Sequence, residues 1–319
     1  MTENLFKPAV FQSFEEKADP SQVAPRIAAL RSAMQKAGID AFLIPRADAH
    51  RGESVPPSEA RLAYMTGFTG SAGMAVVGAH KAGLFVDSRY TLQAPTQTDT
   101  ALVTVHEVNQ GGISPNIRLY VPKGGKLAYD PWLHTPGEIR DLTEKLDGYA
   151  EAVPHANLVD TIWADRPAPP VSTIELLGHN RAGQSASDKI AALREILAAD
   201  KAEAVVLTLP ESICWLFNMR GRDVPNTPFV LGFAIVPATG LPTLFLDAAK
   251  ITPELTASLA EIATLAEATT LSEALETLGQ AGKSVLIDPQ TAPSAIAETL
   301  REAGAKLIEK RDPVLGPKS

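Results

Sequence analysis

The residues best placed to meet a ligand lie between Tyr64 and Tyr90, in the stretch YMTGFTGSAGMAVVGAHKAGLFVDSRY. Three glycines at spacing three (Gly67, Gly70, Gly73) lead into two short apolar runs, Met74 to Val77 and Leu84 to Val86, broken at Gly78 and Gly83. Short β-rich runs bounded by glycine predict a hairpin. Asp87-Ser88-Arg89-Tyr90 comes next, a polar cluster at the end of a buried strand, where a fold can present a side chain to a ligand. Arg89 is the candidate, because a guanidinium stays charged and offers a fork of donors to a carboxylate or a peptide carbonyl. The competing assignment pairs Arg89 with Asp87 alone and leaves the glycines to make turns.

Other chemistries fail on spacing. A metallopeptidase needs neutral imidazoles and carboxylates converging on a cation. The six histidines are His50, His80, His106, His134, His155 and His179, and no two lie within one helical turn. His106-Glu107 begins like a zinc-binding helix, but Gln110 stands where the second histidine belongs, and the segment has a strand pattern. Thr69-Gly70-Ser71-Ala72-Gly73 misses a nucleophile elbow by one residue, Thr69 replacing the first glycine. Gly282-Lys283-Ser284 is like the end of a phosphate-binding loop, yet Thr277 replaces its first glycine and a strand follows instead of preceding it. Cys214 sits in Ile213-Cys214-Trp215-Leu216-Phe217, an apolar setting with nothing to lower a thiol pKa, so a small buried hydrophobe is expected.

The elements that must position these residues follow from composition and period. A chain of 319 residues, 45% apolar and 21% charged, has room for two domains, each with its own core. A net charge of −8 argues against a nucleic-acid partner. The first thirty residues contain no signal-like apolar run, and nothing approaches a membrane span; the expectation is a cytoplasmic protein without a membrane partner. Met1 to Asp19 show no clear period and are expected on the surface. Ile27, Leu30 and Met34 share one face of a helix over Ser21 to Ala37, with Pro25 in its first turn and Gly38 as cap. Ala41 to Ile44 predicts a buried strand ended by Pro45, and a polar loop runs from Arg46 to Pro57. Strands near Val103 to Val108 and Lys126 to Tyr129, then a helix from Pro136 to Leu146, complete an α/β pattern. The proline cluster Asp165-Arg166-Pro167-Ala168-Pro169-Pro170 predicts a semi-rigid connector, dividing residues 1–168 from 169–312.

The second half repeats the first. Ile27-Ala28-Ala29-Leu30-Arg31 recurs as Ile190-Ala191-Ala192-Leu193-Arg194, and Ala41 to Ile44 is answered by Ala204 to Leu207. Tyr64 to Gly70 has a counterpart in Trp215 to Gly221, and Leu84 to Asp87 in Leu244 to Asp247. Where the first copy has Asp87-Ser88-Arg89-Tyr90, the second has Asp247-Ala248-Ala249-Lys250. That loss suggests a ligand contact kept in the first copy and a spacer in the second. A helical stretch over Pro253 to Leu278, a strand at Val285 to Ile287, a helix from Ala292 to Ala303 and a strand at Lys306 to Ile308 are expected next. Asp312 to Ser319 patterns as a further connector.

Five segments in one order carry a family resemblance. They are Ile44-Pro45 to Ala49-His50, Gly67 to Gly73, Val86 to Tyr90, Asn157-Leu158-Val159-Asp160 to Asp165-Arg166-Pro167, and Trp215 to Gly221. Together they resemble the first two domains of bacterial three-domain Xaa-Pro aminopeptidases (aminopeptidase P), metallopeptidases of the pita-bread family. The resemblance implies an α/β fold of two tandem creatinase N-terminal-like domains, each a mixed β-sheet flanked by helices. Residues 313–319 would begin the linker to a catalytic domain that this chain lacks. The parent hydrolase would remove the N-terminal residue preceding proline, using two divalent metals, manganese by expectation, held in that third domain. No metal ligand and no cofactor then falls on this chain, which alone is expected to be inactive. Its implied partners are its own C-terminal catalytic domain and proline-containing peptides, and a homodimer is compatible with the reading. Its role would be to wall the active-site cleft, limit peptide length and contribute Arg89, the arginine of the family's Asp-Gly-Arg-Tyr motif, with Ser88 in place of glycine. Asp87, His50 and Trp215 are supporting residues, and Tyr64 a packing one. The alternatives are a stand-alone binding or assembly module on the same fold and, third, a serine hydrolase at Ser71.

Overall fold

Helix α1 (Val23–Ala37) buries Val23, Ile27, Leu30 and Met34, one apolar stripe at helical spacing. It stops at Gly38, whose left-handed backbone (φ 67°) turns the chain into the first strand. The computed structural model describes residues 19–108 and 113–318, so the expectation for the first eighteen residues lies outside the described residues. Strands β1 (Ala41–Pro45), β2 (Gly73–Gly78), β3 (Ala82–Val86), β4 (Val103–Glu107), β5 (Lys126–Tyr129) and β6 (Glu151–Pro154) form one sheet. Its order is β4-β3-β2-β1-β5-β6. The expected hairpin is present, β2 and β3 pairing antiparallel from Gly73↔Val86 to Val77↔Ala82. Helices α2 (Arg61–Thr66), α3 (Gln93–Gln97) and α4 (Pro136–Leu146) complete the first unit.

A short ladder, β7 (Glu175–Leu176) with β9 (Met219–Arg220), and helices α5 (His179–Ala182) and α6 (Ala186–Ala199) open the second unit. Its sheet has β8 (Ala204–Leu207), β10 (Gly232–Pro237), β11 (Thr243–Leu246), β12 (Thr264–Glu267), β13 (Ser284–Ile287) and β14 (Lys306–Glu309), in the order β12-β11-β10-β8-β13-β14. Counted along its own chain, that is the strand order of the first sheet. The two units are copies of one mixed α/β fold, as the sequence repeat implies. The helices here are α7 (Pro210–Leu216), α8 (Pro253–Leu259), α9 (Leu271–Gln280), α10 (Ser294–Glu302) and α11 (Leu315–Lys318).

Two expectations are corrected. The single helical stretch over Pro253 to Leu278 is divided into α8 and α9 by β12, which runs parallel to β11 from Thr243↔Thr264 to Leu246↔Glu267. The open edge of β11 offers a row of unpaired backbone groups, and filling it outweighs the helix propensity of alanine and leucine. Nor do the described residues after Asp312 form an open connector. The Asp312 backbone N–H donates to Asp288 Oδ2 (2.8 Å), and Val314 N–H to Asp312 Oδ1 (2.8 Å). Val314 is buried in the second core. The first copy has a related latch with a side-chain donor: Asn157 Nδ2 donates to Asp130 Oδ2 (2.9 Å) and Val159 N–H to Asn157 Oδ1 (3.1 Å).

The copies meet through matching parts. Each strand β5 or β13 is followed by Asp-Pro (Asp130-Pro131, Asp288-Pro289) and then by a helix, α4 or α10. The first turn of each helix donates to the proline carbonyl of the other copy: Gly137 N–H to Pro289 O (2.9 Å), and Ala295 N–H to Pro131 O (3.0 Å). Ser294 N–H adds a bond to His134 O (2.7 Å). Helix α10 has no side-chain cap of its own, so these carbonyls satisfy donors that would otherwise be left bare. A Cβ on Gly137 would stand 2.7 Å from Gln290 Nε2 and 3.0 Å from Pro289 O. Gly137→Val is therefore expected to force the exchange apart, costing about 1–3 kcal/mol and lowering the urea midpoint; an unchanged midpoint would show that the contact adds no stability.

Candidate functional site

Asp87 follows β3 and caps the single turn after it, its Oδ1 accepting the Arg89 backbone N–H at 2.9 Å. The same carboxylate takes the guanidinium, with Arg89 Nε 3.0 Å from Oδ1 and Nη2 2.6 Å from Oδ2. Asp87 is buried, while the Arg89 side chain is 54% exposed. The bonds from Arg89 hold the Asp87 carboxyl below the usual carboxylate range. One nitrogen, Nη1, makes no bond among the described residues, and Arg89 lines a cleft of about 920 Å³. The expected Asp87–Arg89 pair therefore exists, and it leaves part of the fork free.

Packing behind Arg89 explains the glycines. Its guanidinium carbon lies 5.2 Å from the centre of the Tyr90 ring, which meets Phe68 edge-on at 5.4 Å. A Cβ on Gly70 would fall 2.1 Å from the Phe68 ring, so only glycine lets the loop close over it. Tyr90 then bonds Ser71: the two hydroxyl oxygens are 2.6 Å apart. The partner of Ser71 is a phenol, and no imidazole is hydrogen-bonded to its hydroxyl among the described residues, so the Ser-His arrangement of a serine hydrolase is not formed here.

The opposite wall of the cleft comes from the polar loop after β1 and from the start of α4. Arg46 Nη1 donates to Glu53 O (3.0 Å), and Arg51 donates to Leu133 O (2.8 Å) and pairs with Glu138. Glu138 also closes a capping box, accepting from Thr135 N–H at 3.0 Å. Burial opposes its ionisation, but His134, Arg51 and the Thr135 N–H together bring its carboxyl down from 4.5 to about 2. Gln290 of the second copy completes this wall. Arg46, Arg51 and Glu138 were not singled out from the sequence, although the spacing Thr135-Pro136-Gly137-Glu138 is a capping-box signature.

The other sequence candidates lie elsewhere. His50 lies half-buried between the copies, stacked on Phe233 with centroids 4.4 Å apart, and lines a separate cavity of about 190 Å³ with Lys250. Burial pushes its imidazole pKa down. Trp215 lies under Lys189, whose Nζ is 4.1 Å from the ring centroid. Tyr64 stacks on Trp163 at 4.5 Å. None of the three meets Arg89. Cys214 is buried, and burial raises its thiol pKa to about 11. The described residues contain no group of three or more His, Cys, Asp or Glu placed to hold a metal ion. The dinuclear metal centre implied by the resemblance thus has no donor set among them.

In the second copy Asp247 keeps the turn, accepting from Ala249 N–H at 2.9 Å. Lys250, the counterpart of Tyr90, points inward and pairs with Asp223 at 2.6 Å, both side chains almost wholly buried. Asp223 also accepts from Leu231 N–H (2.7 Å) and from Ser172 N–H (3.0 Å), so it ties the inter-copy connector to the sheet.

Comparison with known proteins places this geometry. Residues 26–162 and 165–319 each match a family model described as the creatinase/prolidase N-terminal domain. The chain is 34% identical over 273 residues to aminopeptidase P2 of Arabidopsis thaliana, covering 83% of this chain and 38% of the relative. It is 36% identical over 283 residues to a protein of Coccidioides posadasii described as a probable Xaa-Pro aminopeptidase P, covering 86% of this chain and 42% of the relative. The chain spans about two fifths of the length of these curated relatives. The solved X-prolyl aminopeptidase of Caenorhabditis elegans, described as a cytosolic enzyme with a di-nuclear active site, superposes with a TM-score of 0.84 at 25% identity, over 92% of this chain and 50% of that one. No described helix is long and apolar enough to cross a membrane.

Glu138 gives a pH test. Its folded pKa lies below the ordinary value, so its contribution to stability is complete above about pH 4.5 and is lost as pH falls toward 2. Glu138→Gln is expected to lower stability at pH 7 and to flatten the decline of the urea midpoint between those values. A variant with the unaltered acid profile would show that the Arg51–Glu138 pair contributes nothing.

Proposed function

The chain belongs to the creatinase/prolidase N-terminal domain family, once in each half, and from that premise we propose that it serves a Xaa-Pro aminopeptidase as a substrate-shaping region without bond-breaking groups of its own. The observation that carries this reading is Arg89, braced on one edge by buried Asp87 and free at Nη1 over a cleft of about 920 Å³. A guanidinium held in this way gives up little rotamer freedom when it donates to a peptide carbonyl or carboxylate. Positioning of that kind raises a rate by fixing the substrate, without taking part in bond making.

On this reading residues 1–168 and 169–312 are the two creatinase-like domains, and the chain from 313 leads toward a catalytic domain. Two divalent metals, manganese by preference, would be held in that domain and supply the activated water for hydrolysis of the bond before proline. Proline-containing peptides and the catalytic domain are the partners, and the cytoplasm is the compartment. Asp87 orients Arg89. His50 and Trp215, being interdomain and core packing residues, act only by holding the frame.

Two measurements test the proposal. The chain alone, supplied with manganese, is expected to leave Xaa-Pro peptides uncut; turnover by it would overturn the non-catalytic role. In a protein joining this region to a metal-binding catalytic domain of the family, Arg89→Ala is expected to lower kcat/KM by roughly ten- to a hundredfold, the range of one charge-assisted hydrogen bond, with the urea midpoint preserved. Equal kcat/KM in the two proteins would reduce Arg89 to a partner of Asp87.

A further inference from the structure

Resting on that function, we propose that the second copy carries a binding site of its own, the cleft beside Arg220, which takes the C-terminal carboxylate of a peptide. This cleft, of about 990 Å³, lies between the β7–β9 ladder and the turn at Val224–Thr227. Three guanidiniums line it, Arg181, Arg220 and Arg222, against one carboxylate, Glu175. In a chain of net charge −8 that is a local excess of positive charge. Arg181 is engaged with Glu175 at 2.6 Å. The Arg222 guanidinium has no hydrogen-bond or ion-pair partner among the described residues.

Arg220 is braced as Arg89 is, by different atoms. Its Nη1 donates to the carbonyls of Met219 (2.7 Å) and Cys214 (3.3 Å), leaving Nε and Nη2 for a ligand. A fork of that shape matches a carboxylate. The loop bearing it has no slack: a Cβ on Gly221 would lie 2.7 Å from Val230 Cγ2 and 3.0 Å from Ser172 Oγ. Val224, Pro225 and Pro228 supply apolar wall beside the arginines. A peptide end uses both surfaces, whereas an inorganic anion uses only the charges.

Comparing the copies shows where each bears its arginine. Trp215 to Gly221 answers Tyr64 to Gly70, and both segments turn through a left-handed residue, Asn218 (φ 53°) and Gly67 (φ 78°). Arg220 then stands where the first copy has Thr69, and Ala249 where it has Arg89. The second copy has no arginine after its hairpin and bears one in the loop after its short helix. It is a second recognition surface in place of the spacer expected from the loss of Arg89.

The test is a ¹H–¹⁵N correlation titration of the whole chain with three probes: Gly-Pro-Phe with a free carboxylate, the same peptide as its C-terminal amide, and inorganic phosphate. The free peptide is expected to move the Gly221, Arg222 and Asn226 amides saturably. Amidation, Arg222→Ala and Arg220→Met should each weaken binding about tenfold, the scale of one charge-assisted bond, with the remaining spectrum unchanged. If Arg220→Met disturbs the fold, the exposed Arg222→Ala decides. Absence of shifts at Gly221 with every probe overturns the site, and phosphate binding as tightly as the peptide overturns the peptide assignment. The Ser71 and Arg89 amides report the first cleft separately: shifts there alone would sink the Arg220 site and leave the substrate-shaping function standing.

Discussion

A helix that begins against another protein surface exposes backbone donors which must find acceptors there. In this chain that constraint is met between copies. The first turns of α4 and α10 each donate to the proline carbonyl just beyond the other copy's strand β13 or β5. Around these bonds the apolar surfaces close: Ala49 and Trp132 of the first copy pack onto the core of the second. Arg140 and Glu309 pair at the rim, at 3.0 Å. The Arg89 cleft inherits its far wall from the same contact, since Glu138 sits in the first turn of α4 and Gln290 comes directly after Pro289.

One scaffold position shows how a duplicated fold diverges. The aspartate after the hairpin is kept in both copies for a backbone reason, as it caps the next turn. The three residues after that aspartate are under no such constraint and differ between the copies. In the first copy Asp87 has an arginine to orient, and the side chain leans out over a cleft. In the second the third of these residues, Lys250, turns inward to a buried aspartate. A buried ion pair of this kind adds little net stability against an apolar alternative, but removing one partner leaves a bare charge inside the protein. The second copy thus uses this position to hold the connector at Ser172.

Much of this was legible in the chain. The repeat, the hairpin, α1, α4 and the Asp87–Arg89 pair follow from local patterns: apolar period, glycine punctuation and capping residues. The resemblance named the fold that the two family matches and the Caenorhabditis elegans superposition support. What escaped was decided by distant partners. β12 looks helical until β11 offers an edge. Val314 looks like part of a linker until Asp288 catches Asp312. Arg51 and Glu138 lie 87 positions apart, and no spacing rule joins them. His50 and Trp215, expected as supporting residues, are seated by distant partners too, His50 on Phe233 and Trp215 under Lys189, and motif membership does not name those partners.

The exchange between α4 and α10 is two-fold at its centre and lopsided at its edge. The bond from Gly137 to Pro289 is answered by that from Ala295 to Pro131, but the bond from Ser294 to His134 has no return, because Pro136, the first residue of α4, carries no N–H. Two near-identical surfaces can thus close on each other and still be made unequal by one pyrrolidine ring.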